Sequence, residues 1–520
     1  MQHPEAGHQT IVILDFGSQY SHLIARRLRE CGVFSELLSC ETSAEDIAAR
    51  APRGIILSGG PNSVYEADSP HASSGIWALG LPVLGICYGM QEMCHTLGGS
   101  VIPGTHKEYG KAELNLTVAA AADCPLFSGL PSSFTVWMSH GDKVGSLGAG
   151  FQDVATTAST EHAAINDKTR NLYGIQFHPE VTHTTHGTII LKNFAFKVCG
   201  CTGDWTMGSF LDEAIANIRE VVGDGTVIGA VSGGVDSTVG ATLLHKAIGD
   251  RFHGFFVDSG LLRLGEQDEV MVRLRDTLGI NLKIVDASED FLRELNGVED
   301  PEQKRKIIGR MFIEEFDKHA KVLDAGFLLQ GTLYPDVIES LSHRGPSATI
   351  KSHHNVGGLP AHMKLKLIEP LRFLFKDEVR HLGEVLGLAH EHLYRHPFPG
   401  PGLAIRILGA VDKTSLDTLR LADNIFITEL RKAGVYDKVG QAFVVLLPCR
   451  SVGVMGDGRT YEKVCALRAV ETTDYMTADW YPLPYDLLRT VSSRIINEVP
   501  GINRVTYDIS SKPPSTIEWE

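Results

Sequence analysis

The stretch Leu81-Pro82-Val83-Leu84-Gly85-Ile86-Cys87-Tyr88-Gly89 decides how this chain is read. The apolar run from Leu81 to Ile86 has the length and composition of a buried parallel strand, and a helical pattern over Tyr88 to Leu97 follows with no connecting loop. A cysteine therefore stands on a sharp strand-to-helix turn, with Gly85 and Gly89 relieving the crowding on either side. A free thiol is mostly protonated at neutral pH, and a helix N-terminus or a histidine favours its thiolate. Outward from this turn, the short apolar runs Thr10 to Asp15 and Gly54 to Leu57 alternate with helical patterns, which predicts a βαβ domain.

After Asn193 to Val198 comes a polar stretch, Cys199 to Ser209, and then an amphipathic pattern from about Phe210 to Val222, so a boundary falls near 200 to 210. A second βαβ series opens with Thr226 to Val231, continues with His253 to Asp258 and Leu282 to Asp286, and reaches Phe327 to Gln330. These strands predict a second doubly wound sheet. Between Asp336 and Gly358 lies a polar segment far longer than the usual connection of roughly 4 to 6 residues, as lids are. From about Arg406 a helix near Ser415 to Ala433, strands at Ala442 to Leu447 and Arg504 to Ile509, and a helix near Tyr485 to Val499 predict a smaller α+β unit. The expected fold class is α/β: two doubly wound parallel-sheet domains, 9–203 and 204–400, followed by a small α+β domain, 401–520.

With 520 residues the chain exceeds the roughly 250 to 300 at which single cores stop growing. Lysine and arginine total 48 against 63 acidic residues, a net charge of −15 that disfavours a nucleic-acid partner. The start, Met1-Gln2-His3-Pro4-Glu5, lacks a basic n-region, and the first apolar run is far short of the roughly 20 residues of a membrane span. A cytoplasmic protein with no membrane partner is expected. Nine cysteines form no regular framework, and the Cys199/Cys201 pair lacks companions at zinc spacing, so reduced thiols are expected.

A partner for Cys87 stands in Tyr173-Gly174-Ile175-Gln176-Phe177-His178-Pro179-Glu180, where an extended segment points His178 and Glu180 to the same side. His178 is then the base and Glu180 its orienter. Donors for an oxyanion are available at the Tyr88 amide and at the glycine turn Ser58-Gly59-Gly60-Pro61. His22, His71, His95 and His106 have no such companions. Gly85 to Gln91, Ser139-His140-Gly141-Asp142 and Phe177 to Val181 together resemble class I glutamine amidotransferase domains, which release ammonia from glutamine. That resemblance implies Cys87 as nucleophile, His178 as base, Glu180 as orienter, Gly60 and Tyr88 in the oxyanion hole, and Gln91 holding glutamine.

The second sheet carries Ser232-Gly233-Gly234-Val235-Asp236-Ser237 between an apolar strand and the helix Thr238 to Ala247, so backbone N–H groups converge on a phosphate. A Walker A loop would carry a lysine; this one instead offers Asp236, able to hold Mg²⁺. The string Ser232, Gly233, Gly234, Val235, Asp236, Ser237 resembles the PP-loop of ATP pyrophosphatases, which release pyrophosphate from ATP. The strings Phe256 to Arg263, Gln330 to Ser340, Thr349 to Gly358, His396 to Leu403 and Lys512 to Glu520 resemble the glutamine-hydrolysing GMP synthase family. The resemblance implies glutamine, ATP and xanthosine 5′-monophosphate (XMP) as substrates, with Asp336, Glu339, Lys351 and Lys376 as lid and synthetase-site residues near ATP. It further implies Arg263, Gln441, Arg504, Lys512, Ile517 and Glu518 as XMP-binding residues, and a homodimer formed through the last domain. Lysine and arginine suit a phosphate monoester, and a carboxylate or amide suits a xanthine edge. Ser259 and Ala404-Ile405 depart from the family pattern without touching a proposed catalytic atom. Two alternatives remain at this point: another PP-loop amidotransferase acting on a different acceptor, and a nucleotide-sensing protein that has lost the chemistry.

Overall fold

The computed structural model describes residues 7–117, 123–341, 365–455, 457–472, 475 and 477–520. They fall into two compact units, one built from the described residues up to Glu213 together with the helix Tyr334–Leu341, the other from Ala214–Leu333 and residues 365–520.

The first unit is organised by a nine-stranded sheet whose spatial order is Phe34–Ser39, Thr10–Asp15, Gly54–Leu57, Val83–Ile86, Leu172–Ile175, Ala164–Asp167, Gln152–Thr156, Ser100–Leu116 and Ser133–Ser146. The first five run parallel, as the apolar runs predict for Thr10–Asp15, Gly54–Leu57 and Val83–Ile86. Gly54–Leu57 and Val83–Ile86 are buried at every position because helices cover both faces of this part of the sheet. The remaining strands are antiparallel and extend the sheet on the far side of Leu172–Ile175. Ser133–Ser146 buries Phe134, Val136, Met138 and His140 at alternate positions, the pattern of a strand covered on one face. The helix Tyr88–Thr96 lays Tyr88, Met90, Met93 and Cys94 into a core with Leu14, Leu57 and Val83.

The second unit holds an all-parallel sheet in the order Leu282–Asp286, Phe252–Asp258, Val227–Ala230, Phe327–Leu329, Lys366–Ile368. Successive strands step one way from Val227–Ala230 and then the other, so the loop after that strand opens at the topological switch point, where such sheets bind ligands. Beyond it, Gln441–Met455 and Gly458–Glu471 form a long antiparallel hairpin, with Ile502–Tyr507 parallel to the second strand and the helices Lys413–Lys432 and Tyr485–Glu498 packed beside it. One hydrophobic core runs from Ile228 and Phe255 through Leu403 to Phe426, Leu467 and Val491, joining this α+β segment to the parallel sheet. No helix among the described residues is long and apolar enough to cross a membrane.

Candidate active site

Cys87 sits between Val83–Ile86 and Tyr88–Thr96 with φ 52° and ψ −106°, a conformation few non-glycine residues adopt. Its neighbours explain how the turn closes. A Cβ on Gly85 would lie 2.5 Å from the Gly89 carbonyl oxygen, and one on Gly89 would lie 2.3 Å from the Leu57 carbonyl oxygen. Both positions must therefore be glycine for the helix start to press against the sheet. The Cys87 amide donates to Ile175 O at 2.8 Å and that of Gly89 to Ser58 O at 3.0 Å, tying the elbow to the strands on either side.

His178 and Glu180 follow the strand Leu172–Ile175, and His178 Nδ1 lies 2.7 Å from Glu180 Oε1. The segment is held by the His178 amide donating to Trp137 O at 3.0 Å and by Thr184 Oγ1 donating to His178 O at 2.6 Å. All three proposed catalytic side chains are buried. Burial alone would lower the pKa of His178, but the charges of Glu180 and Cys87, and the hydrogen bonds with both, raise it well above the ordinary imidazole range. That shift favours the imidazolium form. The glycine turn stands alongside: a Cβ on Gly59 would approach His178 Cε1 to 3.1 Å, and one on Gly60 would approach Phe16 O to 2.9 Å and Tyr88 Cγ to 3.2 Å. Tyr88 opens its helix, so its amide has no acceptor one turn back.

Gln91 is buried one turn into this helix, with Nε2 donating to Asp142 O at 2.9 Å and to Gln176 Oε1 at 3.2 Å. Gln176 in turn directs Nε2 at Cys87 Sγ, 3.6 Å away. Sequence reasoning assigned Gln176 no role, although it shares the two-residue period of His178 and Glu180. His140 places Nδ1 2.9 Å from the same Asp142 carbonyl and Nε2 3.3 Å from Glu108 Oε2. Burial opposes the charge on Glu108, but hydrogen bonds with His140, Thr160, Ser159 and Thr157 bring its pKa down to about 2.

In the second unit, Ser232–Ser237 links Val227–Ala230 to the helix Val235–Ile248. Gly233 has φ 77°, and a Cβ there would lie 2.6 Å from Val270 Cγ2. Ser232 Oγ lies 3.1 Å from Ser237 Oγ, and Ser237 Oγ donates to Gly234 O at 3.1 Å. Arg273 and Arg395 both donate to Gly233 O, at 3.1 and 3.3 Å, two cations beneath the loop that its sequence does not announce. Burial and the charge of Arg395 lower the pKa of Arg273 to about 10. Lys376 Nζ stands 2.5 Å from each Asp236 carboxylate oxygen, so the lysine missing from the loop arrives from a distant helix. Asp336 and Glu339 lie on Tyr334–Leu341, and Lys351, with His353 and His354, lies outside the described residues.

The expected XMP residues gather at the start of the strand Gln441–Met455, with one exception. Glu518 accepts from Gln441 Nε2 at 2.7 Å and from Arg406 Nη2 at 2.8 Å. Arg263 pairs with Asp423 at 3.1 Å and donates to Ala442 O at 3.4 Å. Ile517 packs with Phe443 and Val470, and Lys512 Nζ donates to Tyr475 O at 2.7 Å, beside the Tyr475 hydroxyl that donates to Gly440 O. Arg504 stands elsewhere, exposed on Ile502–Tyr507 with Nε 3.2 Å from Ser451 Oγ. Arg406 was missed; it is fully buried between Phe443 and Phe398, and a cation inside the apolar string Leu403 to Leu408 was the available signal.

The mixed sheet and its cysteine elbow define a class I glutamine amidotransferase domain: the family model described as glutamine amidotransferase class-I matches residues 12–198, and that described as GMP synthase C terminal domain matches 428–519. Relatives named GMP synthase (glutamine-hydrolyzing) are similar over nearly the whole chain. Those of Eremothecium gossypii and Saccharomyces cerevisiae are 58% and 57% identical over 518 residues, covering 98% of this chain and 98% of each relative. That of Aquifex aeolicus is 58% identical over 511 residues, covering 98% and 99%. The chain belongs to the glutamine-hydrolysing GMP synthase family.

Proposed function

We propose that this chain makes GMP by joining two half-reactions, glutamine hydrolysis in the first unit and ATP-driven amination of XMP in the second. Cys87 Sγ attacks the carboxamide of glutamine, and the imidazolium of His178, held by Glu180, gives its proton to departing ammonia. The amides of Gly60 and Tyr88 receive the oxyanion, and Gln91 carries part of the substrate. Water then releases glutamate.

In the second half-reaction the C2 oxygen of XMP attacks the α-phosphorus of ATP held over Ser232–Ser237, pyrophosphate leaves, and ammonia displaces AMP at C2. The residues offer a magnesium ion hard oxygen ligands in Asp236 and Ser237, with Lys376 Nζ beside the same carboxylate. Held by Asp236 and Ser237, magnesium would supply charge neutralisation on the leaving diphosphate. Lys376 and Asp336, with Glu339 and Lys351, serve the ATP site. Arg263, Gln441, Lys512, Ile517 and Glu518 bind XMP, and family resemblance assigns Arg504 to the same nucleotide although it stands apart on Ile502–Tyr507. The domains divide at 203 and 400, and the enzyme works as a cytoplasmic homodimer.

The observation that carries this reading is a cysteine elbow backed by His178 and Glu180 on the same polypeptide as a switch-point loop without lysine. The test is incubation with ATP, Mg²⁺ and XMP, giving glutamine and then ammonium as nitrogen donor. AMP and pyrophosphate are expected from both; ADP and orthophosphate would overturn the second half-reaction.

A further inference from the structure

A backbone carbonyl can only accept hydrogen bonds, and this fixes the direction of every bond leading to the Cys87 sulfur. Asp142 O accepts from Gln91, so the end of the Gln91 side chain facing it is the NH₂ group. That same NH₂ group meets Gln176 3.2 Å away, so Gln176 must present its oxygen there. The other end of the Gln176 amide is then NH₂, and it faces Cys87 Sγ at 3.6 Å. Turning Gln176 over would set NH₂ against NH₂ and leave a donor unmet in a place no water reaches, since the side chain has no exposed surface. Its backbone N–H, spent on Ala163 O at 2.9 Å, pins the segment from behind.

The sulfur is thus bracketed. Cys87 Sγ lies 3.7 Å from Ser139 O, and on another side it meets an N–H that cannot point elsewhere. We propose that Gln176 is a positioning residue of the glutaminase half-reaction, holding Cys87 Sγ in its attacking direction through a relay whose polarity is set by the Asp142 carbonyl. This rests on Cys87 being the nucleophile. A sulfur free to rotate about its Cα–Cβ bond leaves the attack geometry by more than 1 Å, a misplacement that can cost roughly 10²-fold in rate.

Two variants test this in the full-length chain. Gln176→Leu keeps most of the volume and removes both polar ends. Gln176→Glu keeps the length and the acceptor for Gln91 but offers the sulfur no N–H. Both should lower glutamine-dependent kcat by roughly 10- to 100-fold with KM changed less than about threefold, because the interaction belongs to the reacting sulfur and not to substrate binding. Alkylation of Cys87 by iodoacetamide, followed by mass spectrometry of its peptide, should slow in parallel. Ammonium-dependent synthesis should stay at the parental rate. In Gln176→Glu the deficit should shrink as pH falls and the carboxyl regains a proton to donate, a trend that simple packing would not produce.

Parental kcat and alkylation in either variant would overturn the proposal, as would equal losses with glutamine and ammonium, which would mark Gln176 as a folding residue. Cys87→Ala run alongside separates the two readings. Persistent glutaminase activity in Cys87→Ala would remove the nucleophile itself, whereas its loss beside an unaffected Gln176→Leu would remove only the relay.

Discussion

At His178, burial and charge pull in opposite directions, and the charges of Glu180 and Cys87 prevail. A histidine whose folded pKa lies above its unfolded value, about 6.5, contributes stability that is fully present below that value and fades as pH rises through the folded one. In the proposed mechanism the imidazolium is also the acid that ammonia needs on leaving. Glutamine hydrolysis should therefore hold through neutrality and fall on an alkaline limb well above the usual imidazole range. Glu180→Gln should move that limb toward about 6.5 and lower the plateau, read from kcat/KM against pH with ammonium-dependent synthesis as control. A limb left in place would detach Glu180 from His178. Asp236 supports a separate prediction in the other unit. The carboxylate is partly exposed and paired with Lys376, so Asp236→Asn should fold normally yet lower synthesis from glutamine and ammonium alike by roughly 10- to 100-fold. Glutaminase activity assayed without nucleotides should not change.

The elbow is an element before it is a site. Its helix can start against the sheet only because Gly89 has no side chain, and a methyl group there would be driven into the Leu57 carbonyl. Gly89→Ala should destabilise the first unit by about 1–3 kcal/mol and remove most glutaminase activity, since relief requires the helix to lift and Cys87 with it. Calorimetry and glutamine hydrolysis would check this; an unchanged transition would mean the turn yields without moving the helix. These elements were legible because a short apolar run followed directly by a helical period has few alternatives; Thr10–Asp15, Gly54–Leu57 and Val83–Ile86 in one sheet, and Val227–Ala230, Phe252–Asp258, Leu282–Asp286 and Phe327–Leu329 in the other, were read from such runs, whereas the parallel strands Phe34–Ser39 and Lys366–Ile368 were not. The antiparallel strands Gln152–Thr156, Ala164–Asp167 and Ser133–Ser146 were not. Ser133–Ser146 alternates inward apolar residues with polar ones, Gln152–Thr156 buries only Val154 and Ala155, and Ala164–Asp167 ends in the buried polar pair Asn166 and Asp167, so only the fold shows what is covered. Gln176 and Arg406 escaped for a related reason: each is a polar group whose burial depends on partners about 85 and 112 residues away, Gln91 and Glu518. The His178–Glu180 pair was readable because the two are near neighbours in sequence, whereas Ser232–Ser237 is contacted by Arg273, Lys376 and Arg395, which no local pattern connects to it.

On the proposed assignment Cys87 and the Ser232–Ser237 loop lie in different compact units, so loss of the thiol should spare the other half-reaction. Cys87→Ala should abolish GMP formation from glutamine while ammonium supports the parental rate; equal loss with both donors would mean that the thiol also serves amination. The second unit carries a further feature that makes sense only beyond a single chain. Its long hairpin pairs Val452 with Tyr461 and Val454 with Arg459, and Val452, Val454 and Tyr461 are half or more exposed, a run of apolar surface on strands that extend past the shared core. Apolar residues grouped on an exposed strand face invite another copy of the same surface, and a two-fold contact is the commonest way to cover one. The homodimer proposed above would bury this stripe. Sedimentation of the parental chain at micromolar concentration should give a dimer, and Val452→Lys combined with Val454→Lys should shift it toward monomer without changing glutaminase activity, because the elbow lies in the other unit. A dimer unaffected by both lysines would place the contact elsewhere, and a parental monomer would remove it.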